Sequence, residues 1–302
     1  MEIRRSEKAG IHITSIKGQD LPIEAEKNVA GVAGLAILKA HNAQLGFEIR
    51  IEKNIKPGSG IGSSAASAAG TVAGINYLLG NPFTNKELIP FAMEGERLAC
   101  GSAHADNVAP ALLGGFTLVR DTNPLDICAL PTPLELVATV IHPKIEVKTA
   151  DARAILKKRV TLEKAISQWG NVGALVSSLY EEDYDLLSRS LIDGIVEPTR
   201  AILIPHFCEL KAACKEAGAL GSGISGSGPS VFALSRGMPA ANTVAKAMQS
   251  VLEKTNNEIL EIPEGHICCG SAGTYNILQS KIAKQLLKNK VNNIESLNPD
   301  FI

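Results

Sequence analysis

The chain has 302 residues, of which 45% are hydrophobic and 20% charged, proportions typical of a folded globular protein. Thirty Lys and Arg residues nearly balance thirty-one Asp and Glu residues, which excludes the basic excess of a nucleic-acid-binding protein. A helix that crosses a bilayer needs about 20 apolar residues, and every apolar run in this sequence is much shorter. The first twenty residues lack the apolar core of a secretory signal. We therefore expect a cytoplasmic protein that binds neither nucleic acid nor a membrane.

The six cysteines show neither a CxxC pair nor the spacing of metal ligands. In a chain of this length such cysteines are expected to be reduced thiols, mostly buried. The pattern excludes a disulfide scaffold and a zinc ribbon. The six are Cys100, Cys128, Cys208, Cys214, Cys268 and Cys269.

The first half of the chain alternates between strand and helix patterns. Alternation of apolar and polar residues predicts strands over 11–16 and 47–53, with an alanine-rich helix over 24–40 between them. After a glycine-rich turn, we predict helices over 63–79 and 85–100 and strands over 115–120 and 136–142. Prolines punctuate the end of this half, and we place a lobe boundary near Pro143.

The second half is mainly helical. The predicted helices cover 150–156, 162–179, 186–192, 205–217 and 240–254, with strands over 229–234, 266–269 and 274–278. Because strands and helices mix within each half, the pattern predicts an α+β protein of two lobes. The lobes cover 1–143 and 144–279, and a Lys- and Asn-rich tail covers 280–302.

A glycine-rich segment over 57–66 lies between a predicted strand and a predicted helix. Its three glycines permit a tight turn and a close backbone approach to a ligand, and the N-terminus of the following helix favours an anion such as phosphate. The spacing is neither that of a Walker A loop nor that of a Rossmann fingerprint. A tight turn that only packs strand against helix is the alternative. Ser63 and Ser64 favour phosphate, because their hydroxyls can cap the helix or reach a phosphate-bound Mg²⁺.

A second glycine-rich segment over 221–226 matches the spacing G-x-G-x-x-G. A dinucleotide site needs a strand before this segment and a helix after it. Here a predicted helix precedes the segment and a predicted strand follows, so we reject a nicotinamide site. Packing of this segment against the first glycine-rich segment remains open.

Polar residues cluster after the helix predicted over 85–100. Glu96 lies in that helix, and His104, Asp106 and Asn107 follow in a segment bounded by glycines and a proline. Each has an ordinary alternative: Glu96 as a solvated helix residue, Asp106 as a turn former, and His104 as an imidazole with satisfied hydrogen bonds. Their concentration beside small residues favours a functional site.

Two segments of the second half offer cations that can hold a carboxylate. Arg153 follows Thr149 closely, and Arg200 ends the segment Glu-Pro-Thr-Arg. A guanidinium group binds a carboxylate through a bidentate fork. An isolated arginine on a helix is more often a surface charge, so these residues alone are weak evidence.

Three of these segments, 57–66, 95–110 and 222–229, together resemble the galactokinase–homoserine–mevalonate–phosphomevalonate (GHMP) kinase superfamily. Within it, 102–110 with the glycine pair at 114–115, and 197–205, are similar specifically to the homoserine kinase family. The resemblance extends from about residue 1 to residue 279. It implies a two-lobed GHMP-kinase fold, with a mixed sheet and helices in the N-terminal lobe and a ferredoxin-like α/β sandwich in the C-terminal lobe.

The resemblance implies ATP- and Mg²⁺-dependent phosphorylation of the L-homoserine hydroxyl in threonine synthesis, and it points to a homodimer. It implies that Ser64 and Glu96 hold Mg²⁺, with Glu96 and Asn107 catalytic. The implied ATP-binding residues are Asn28, Pro57, Gly58, Ser59, Gly60, Ile61, Gly62, Ser63, Ser64, Ala65 and Ala66. The implied substrate-binding residues are His104, Asp106, Asn107, Thr149, Arg153, Arg200, Gly223 and Gly226.

The resemblance is incomplete at the N-terminus. Family members begin with a strand and a Gly-Phe-Asp segment that are not found here, so we expect two strands and part of the substrate pocket to be lacking. Another GHMP-type small-molecule kinase, or a nucleotide- or amino-acid-binding protein without turnover, is the alternative. Because phosphoryl transfer depends mainly on alignment and charge neutralisation, no general base is assigned, and Asp106 is a candidate by chemistry alone.

Overall fold

The computed structural model describes residues 1–42, 44–145, 147, 152, 154–253 and 288. The described chain falls into two compact units. The first comprises Met1–Lys56 and Gly62–Ala129, and the second comprises Pro57–Ile61 and the chain from Leu130 to residue 253. The chain therefore leaves the first unit for the first five residues of the first glycine-rich segment.

A three-stranded sheet forms one side of the first unit's core. Its strands are β1 (Glu2–Ser6), β2 (Gly10–Lys17) and β3 (Gly46–Glu52), in the order β1-β3-β2. The central strand β3 pairs antiparallel with β1 and parallel with β2. Alternation predicts β2 and β3 but not β1, because β1 contains a single apolar residue, Ile3, and lies at the sheet edge.

Three helices share the core with this sheet: α1 (Val29–His41), α2 (Ser63–Leu78) and α3 (Asn85–Cys100). α1 and α2 contact the strands, and α3 packs on these two helices. Helix α1 is shorter than the helix predicted over 24–40. A 3₁₀ turn over Ala25–Lys27 precedes it, and Asn28 caps α1 by accepting a hydrogen bond from the Ala30 amide at 2.9 Å. The core that the helices share with the sheet includes Ile37, Phe47, Ile49, Ile75 and Ile89.

The first unit ends with elements that the pattern only partly predicts. The short helix α4 (Val108–Leu113) begins inside the polar segment, and β4 (Phe116–Thr122) pairs with β5 (Leu125–Leu130). Neither α4 nor β5 is predicted from the sequence. The six residues of α4 are too few to display a helical period.

The second unit is built on an antiparallel sheet with the strand order β6-β8-β7. Its strands are β6 (Leu136–Ile141), β7 (Gly221–Ile224) and β8 (Val231–Arg236). Its helices are α5 (Leu162–Glu181), α6 (Tyr184–Ser190), α7 (Glu197–Arg200), α8 (Phe207–Glu216) and α9 (Gly237–Glu253). The side chains of Phe207, Leu210, Val231, Val244 and Met248 form its core.

Several features differ from the expectations. Residues Gly221–Ile224 form strand β7 rather than the expected loop. Antiparallel pairing with β8 holds this strand, although its two glycines do not favour one. Strand β6 lies in the second unit, where it pairs with β8, although the predicted boundary near Pro143 assigns it to the first. Of the described cysteines outside α3, Cys214 is buried, whereas Cys128 and Cys208 are exposed.

Other expectations concern residues outside the described ranges. They are the strands over 266–269 and 274–278, residues 150, 151 and 153 of the helix predicted over 150–156 and, apart from residue 288, the tail over 280–302. None of the helices that the structure describes is both long and apolar enough to span a membrane.

Candidate active site

The polar residues of the first unit meet around the N-terminal end of α2. Gly62, the residue before this helix, has a φ of 73°, in the left-handed region that glycine adopts without strain. A Cβ atom at this position would lie 3.5 Å from the Oδ1 atom of Asn107. Asn107 in turn precedes α4. The fold therefore brings Asn107 beside the start of α2, as a site that uses both would require.

Glu96 on α3 is the central acidic residue of this group. Its side chain is buried, with the residue 4% exposed, and its Oε1 atom has no hydrogen-bond partner among the described residues. Burial raises the pKa of the Glu96 carboxyl, the hydroxyl of Ser64 lowers it by hydrogen bonding, and the charge of Asp106 raises it. The interpretation of Glu96 as a solvated helix residue is therefore wrong, and a buried carboxylate oxygen is left for a ligand.

His104 lies in the same group and is half-buried. Its charged form lowers the pKa of Glu96, which places the imidazole near this carboxylate. The Nε2 atom of His104 is buried without a hydrogen-bond partner in the described structure. The alternative interpretation of His104, as an imidazole with all its hydrogen bonds satisfied, therefore does not hold for the described structure.

The donor set around Glu96 suits a magnesium ion. Mg²⁺ prefers oxygen ligands, and it commonly takes one or two carboxylates from the protein and the rest from phosphates and water. Glu96 supplies a buried unpartnered carboxylate oxygen, and Ser64 supplies a hydroxyl bonded to it. No group of three His, Cys, Asp or Glu side chains that could hold a metal ion is found within the described part of the chain. The Glu96 carboxylate and the Ser64 hydroxyl are the oxygen donors that fit such a cation.

Lys53 is a buried member of the group that the motifs do not reveal. It is 8% exposed, and its Nζ atom donates to the Ser63 carbonyl at 2.5 Å and to Ser67 Oγ at 2.6 Å. Burial lowers the pKa of Lys53 to about 8, while the charge of Glu96 raises it. The alternation along β3 does predict its burial. Lys53 comes two residues after the buried Ile51 and four after the buried Ile49, so its side chain points to the same face of the sheet.

In the second unit, the segment Pro57–Ile61 packs against the chain between β7 and β8. Ser225 Oγ donates to the Gly60 carbonyl at 2.8 Å, and Ser230 Oγ donates to the Ser59 carbonyl at 2.6 Å. Gly60 has a φ of +79°, and a Cβ atom there would lie 2.5 Å from the Ser225 carbonyl oxygen. The two glycine-rich segments therefore contact each other, as the sequence had left open.

A histidine that directly follows β6 supports this contact. The Nδ1 atom of His142 lies 3.0 Å from Ser230 Oγ. Because the single hydroxyl proton of Ser230 goes to the Ser59 carbonyl, the Nδ1 atom must carry a proton and donate it. Ser59 Oγ is buried without a partner in the part of the chain that is described, which leaves a hydroxyl of the glycine-rich segment available to a ligand.

The predicted carboxylate-binding residue Arg200 ends α7. Its Nε atom donates to the Ala152 carbonyl at 3.1 Å, and its NH1 atom donates to the Gly226 carbonyl at 3.0 Å. The structure thus joins Arg200 to Gly226. The other glycine, Gly223, lies in β7, where a Cβ atom would be 3.3 Å from a carboxylate oxygen of Glu197.

Three predicted residues are not part of these groups. Asn28 uses its side chain to cap α1 and to donate to the Pro22 carbonyl at 2.7 Å, so a contact with a nucleotide base stays a prediction. Thr149 and Arg153 lie outside the described residues.

Comparison with known proteins identifies the family. A model of the GHMP kinases N terminal domain matches residues 27–115, and a model of the GHMP kinases C terminal domain matches residues 162–254. The homoserine kinase of Chloroherpeton thalassium is 51% identical over 246 residues, which cover 80% of this chain and 77% of that protein. The chain belongs to the homoserine kinase family.

Further relatives agree with this assignment. The homoserine kinase of Chlorobium phaeobacteroides is 46% identical over 266 residues, covering 84% of this chain and 83% of that protein. A crystal structure of homoserine kinase from Cytophaga hutchinsonii matches with a TM-score of 0.82 and 52% identity, covering 84% of this chain and 81% of that chain. The predicted α+β GHMP-kinase fold is confirmed, and the chain is a kinase.

A third family model reaches beyond the kinase models. It is described as a cysteine-rich domain and matches residues 234–302. The match overlaps the end of the C-terminal kinase model and includes Cys268 and Cys269, which lie outside the described residues. The homoserine kinase family therefore accounts for the described chain, and this model concerns mainly the part that follows it.

Proposed function

We propose that this chain catalyses the ATP- and Mg²⁺-dependent phosphorylation of the L-homoserine hydroxyl to O-phospho-L-homoserine, as a step in threonine biosynthesis. The observation that carries the proposal is the buried Glu96 carboxylate. Its Oε1 atom has no hydrogen-bond partner among the residues that the structure describes, and its neighbour is the hydroxyl of Ser64 at the start of α2. The names of the related proteins support homoserine as the substrate.

The proposed ATP site uses the first glycine-rich segment and the N-terminus of α2. Backbone amides at a helix N-terminus carry partial positive charge and point towards a bound anion. The residues over 57–66 then bind the phosphates, and the hydroxyl of Ser59, which has no partner within the described ranges, supports this role. Ser64 and Glu96 hold the cation, which when bound neutralises phosphate charge during transfer.

The proposed chemical step needs alignment more than a strong base. The homoserine hydroxyl oxygen forms a bond to the γ-phosphorus as the bond from that phosphorus to the β-phosphate oxygen breaks, and the hydroxyl proton is released. Asn107, beside Gly62, orients the hydroxyl. Asp106, whose charge acts on Glu96, is the candidate to receive the proton.

The remaining predicted residues form the proposed substrate pocket. Arg200 and Arg153 bind the homoserine carboxylate through charge-assisted hydrogen bonds. His104, whose Nε2 atom lacks a partner in the described chain, binds a polar group of the substrate. Thr149, Gly223 and Gly226 complete the pocket.

A coupled assay of ADP release tests the proposal. We expect ADP release that requires both Mg²⁺ and L-homoserine, with phosphohomoserine detected by mass spectrometry. ADP release that prefers another small alcohol would favour a different GHMP-type kinase. ATP binding in calorimetry without any phosphorylated product would favour a binding protein without turnover.

The substrate assignment yields a prediction for Arg200. We expect Arg200→Ala to raise KM for L-homoserine about tenfold to a hundredfold and to leave KM for ATP near the wild-type value, because a hydrogen bond between charged groups contributes about 1.5–3 kcal/mol. Steady-state kinetics with L-homoserine and with 3-aminopropan-1-ol, which lacks the carboxylate, provide the measurement.

The control for this prediction is Arg236→Ala, which removes an exposed arginine paired with Glu135 at 2.8 Å in the same unit. We expect this variant to retain the wild-type KM values. Equal losses of kcat/KM for both acceptors in Arg200→Ala would mean that Arg200 only maintains the backbone around Gly226.

A further inference from the structure

Lys53 is placed where a lysine is costly. A buried ammonium loses its hydration, which is why the pKa of Lys53 falls to about 8. No carboxylate of the described residues lies within 4.0 Å of its Nζ atom. The two described partners of the Nζ atom are uncharged oxygens one turn apart at the start of α2, namely the Ser63 carbonyl and Ser67 Oγ.

The position is also unfavourable with respect to the helix dipole. The N-terminal end of a helix is positive and disfavours a nearby cation. α2 has no acidic residue in its first turn to offset the charge of Lys53. Among the described residues, Glu96 on α3 provides the only opposite charge that raises the pKa of Lys53. Stability alone therefore does not explain a lysine here, whereas an anion bound at the start of α2 would explain it.

The hydrogen bonds of Lys53 join the two ends of the glycine-rich segment. Lys53 and Ile55 precede the segment, Ser63 lies near its C-terminal end, and Ser67 follows it. Besides the two bonds from Lys53, Ser63 Oγ donates to the Ile55 carbonyl at 2.6 Å. Ser63 is therefore held through both its carbonyl and its hydroxyl. Because Ser64 is the next residue, these bonds also restrict the backbone that carries the Ser64 hydroxyl.

We infer that Lys53 is a positioning residue for nucleotide binding: it fixes the first turn of α2, so that Ser64 is held at Glu96, and it adds positive potential where the phosphates bind. The inference rests on the proposed ATP site and extends it to a residue outside the glycine-rich motif. Lys53 acts through the helix turn, because two of the three donors of its ammonium group already bond to Ser63 and Ser67.

The test compares Lys53→Met and Lys53→Arg with Lys39→Met, which removes the same charge from an exposed position on α1. Calorimetric titration with MgATP and with MgADP gives the dissociation constants, and steady-state kinetics gives KM for each substrate. We expect Lys53→Met to weaken MgATP binding about tenfold to a hundredfold with KM for L-homoserine little changed. Lys53→Arg should restore part of the affinity, and Lys39→Met should match the wild type.

Thermal unfolding separates positioning from a merely structural role. If Lys53 only supported folding, Lys53→Met would lower the melting temperature and weaken both substrates alike, and that result would overturn the inference. Wild-type affinity for MgATP in Lys53→Met would overturn it as well. Should Lys53→Met not fold, Ser67→Ala keeps the lysine but removes one of its acceptors, and a smaller loss confined to MgATP is then expected.

The failure of the proposed function is a distinct outcome. A wild-type protein that binds MgATP but does not phosphorylate L-homoserine would refute the proposed reaction, while the titrations would still decide the role of Lys53. A wild-type protein that binds no MgATP would overturn both.

Discussion

Glu96→Gln lowers kcat/KM for the Mg²⁺-dependent reaction by about a hundredfold to a thousandfold, the range associated with loss of one well-placed group that stabilises transition-state charge. The amide keeps the size of the side chain but loses the negative charge that holds the cation. Titration of turnover against Mg²⁺ concentration measures the effect. We expect the remaining activity to require much more Mg²⁺ than the wild type does.

The same substitution is expected to stabilise the ligand-free protein at neutral pH. Because the pKa of Glu96 is raised above its ordinary value of 4.5, the folded state binds protons more tightly than the unfolded state. Stability is therefore lost as pH rises through this window, and glutamine escapes the loss. Thermal unfolding should show a higher melting temperature for Glu96→Gln at pH 7.5, with the difference closing as pH falls below 4.5.

Glu94→Gln is the matched control on the same helix. Glu94 is only partly buried, with its side chain 44% exposed, and it is paired with Arg97 at 3.1 Å. Ion pairs at the surface contribute little. We expect this variant to match the wild type in both turnover and melting temperature. Wild-type dependence on Mg²⁺ in Glu96→Gln would remove Glu96 from the cation site.

Gly60→Ala is expected to weaken MgATP binding by about a hundredfold, since misplacement of binding groups by about 1 Å is enough for such a loss. A Cβ atom at Gly60 would lie 2.5 Å from the Ser225 carbonyl oxygen and 2.7 Å from the Gly228 carbonyl oxygen. Both are backbone atoms, so the glycine-rich segment must move away from its partner. Calorimetry with MgATP measures the loss.

Gly218→Ala distinguishes the collision from backbone strain. Gly218 also has a left-handed φ, of +89°, but a Cβ atom there meets nothing within 4 Å. Both substitutions carry the cost of a left-handed alanine, about 1–2 kcal/mol, whereas only Gly60→Ala adds a collision. We expect Gly218→Ala to bind MgATP normally. Equal affinities in the two variants would mean that the contact with Ser225 does not shape the ATP site.

Local patterns determined much of this protein. The bounds of α3 and the start of α2 follow from helical periodicity, and Thr84 with Glu87 forms a capping box at the start of α3. The glycine-rich segment and the polar cluster after α3 are also visible in the sequence, because turn residues and polar residues act over a few positions. The family resemblance rests on the same segments.

The tertiary structure alone decided which of these residues meet, and how deeply they are buried. Helical periodicity does not distinguish a solvated Glu96 from a buried one, since burial depends on the elements that cover α3. The bonds from Ser225 to Gly60 and from Ser230 to Ser59 join residues 165 and 171 positions apart. Such contacts depend on the packing of whole elements, so no local pattern predicts them. The same reason applies to Lys53. Alternation predicts that its side chain points inwards, but its partners on α2 come within reach only when the strand and the helix pack together.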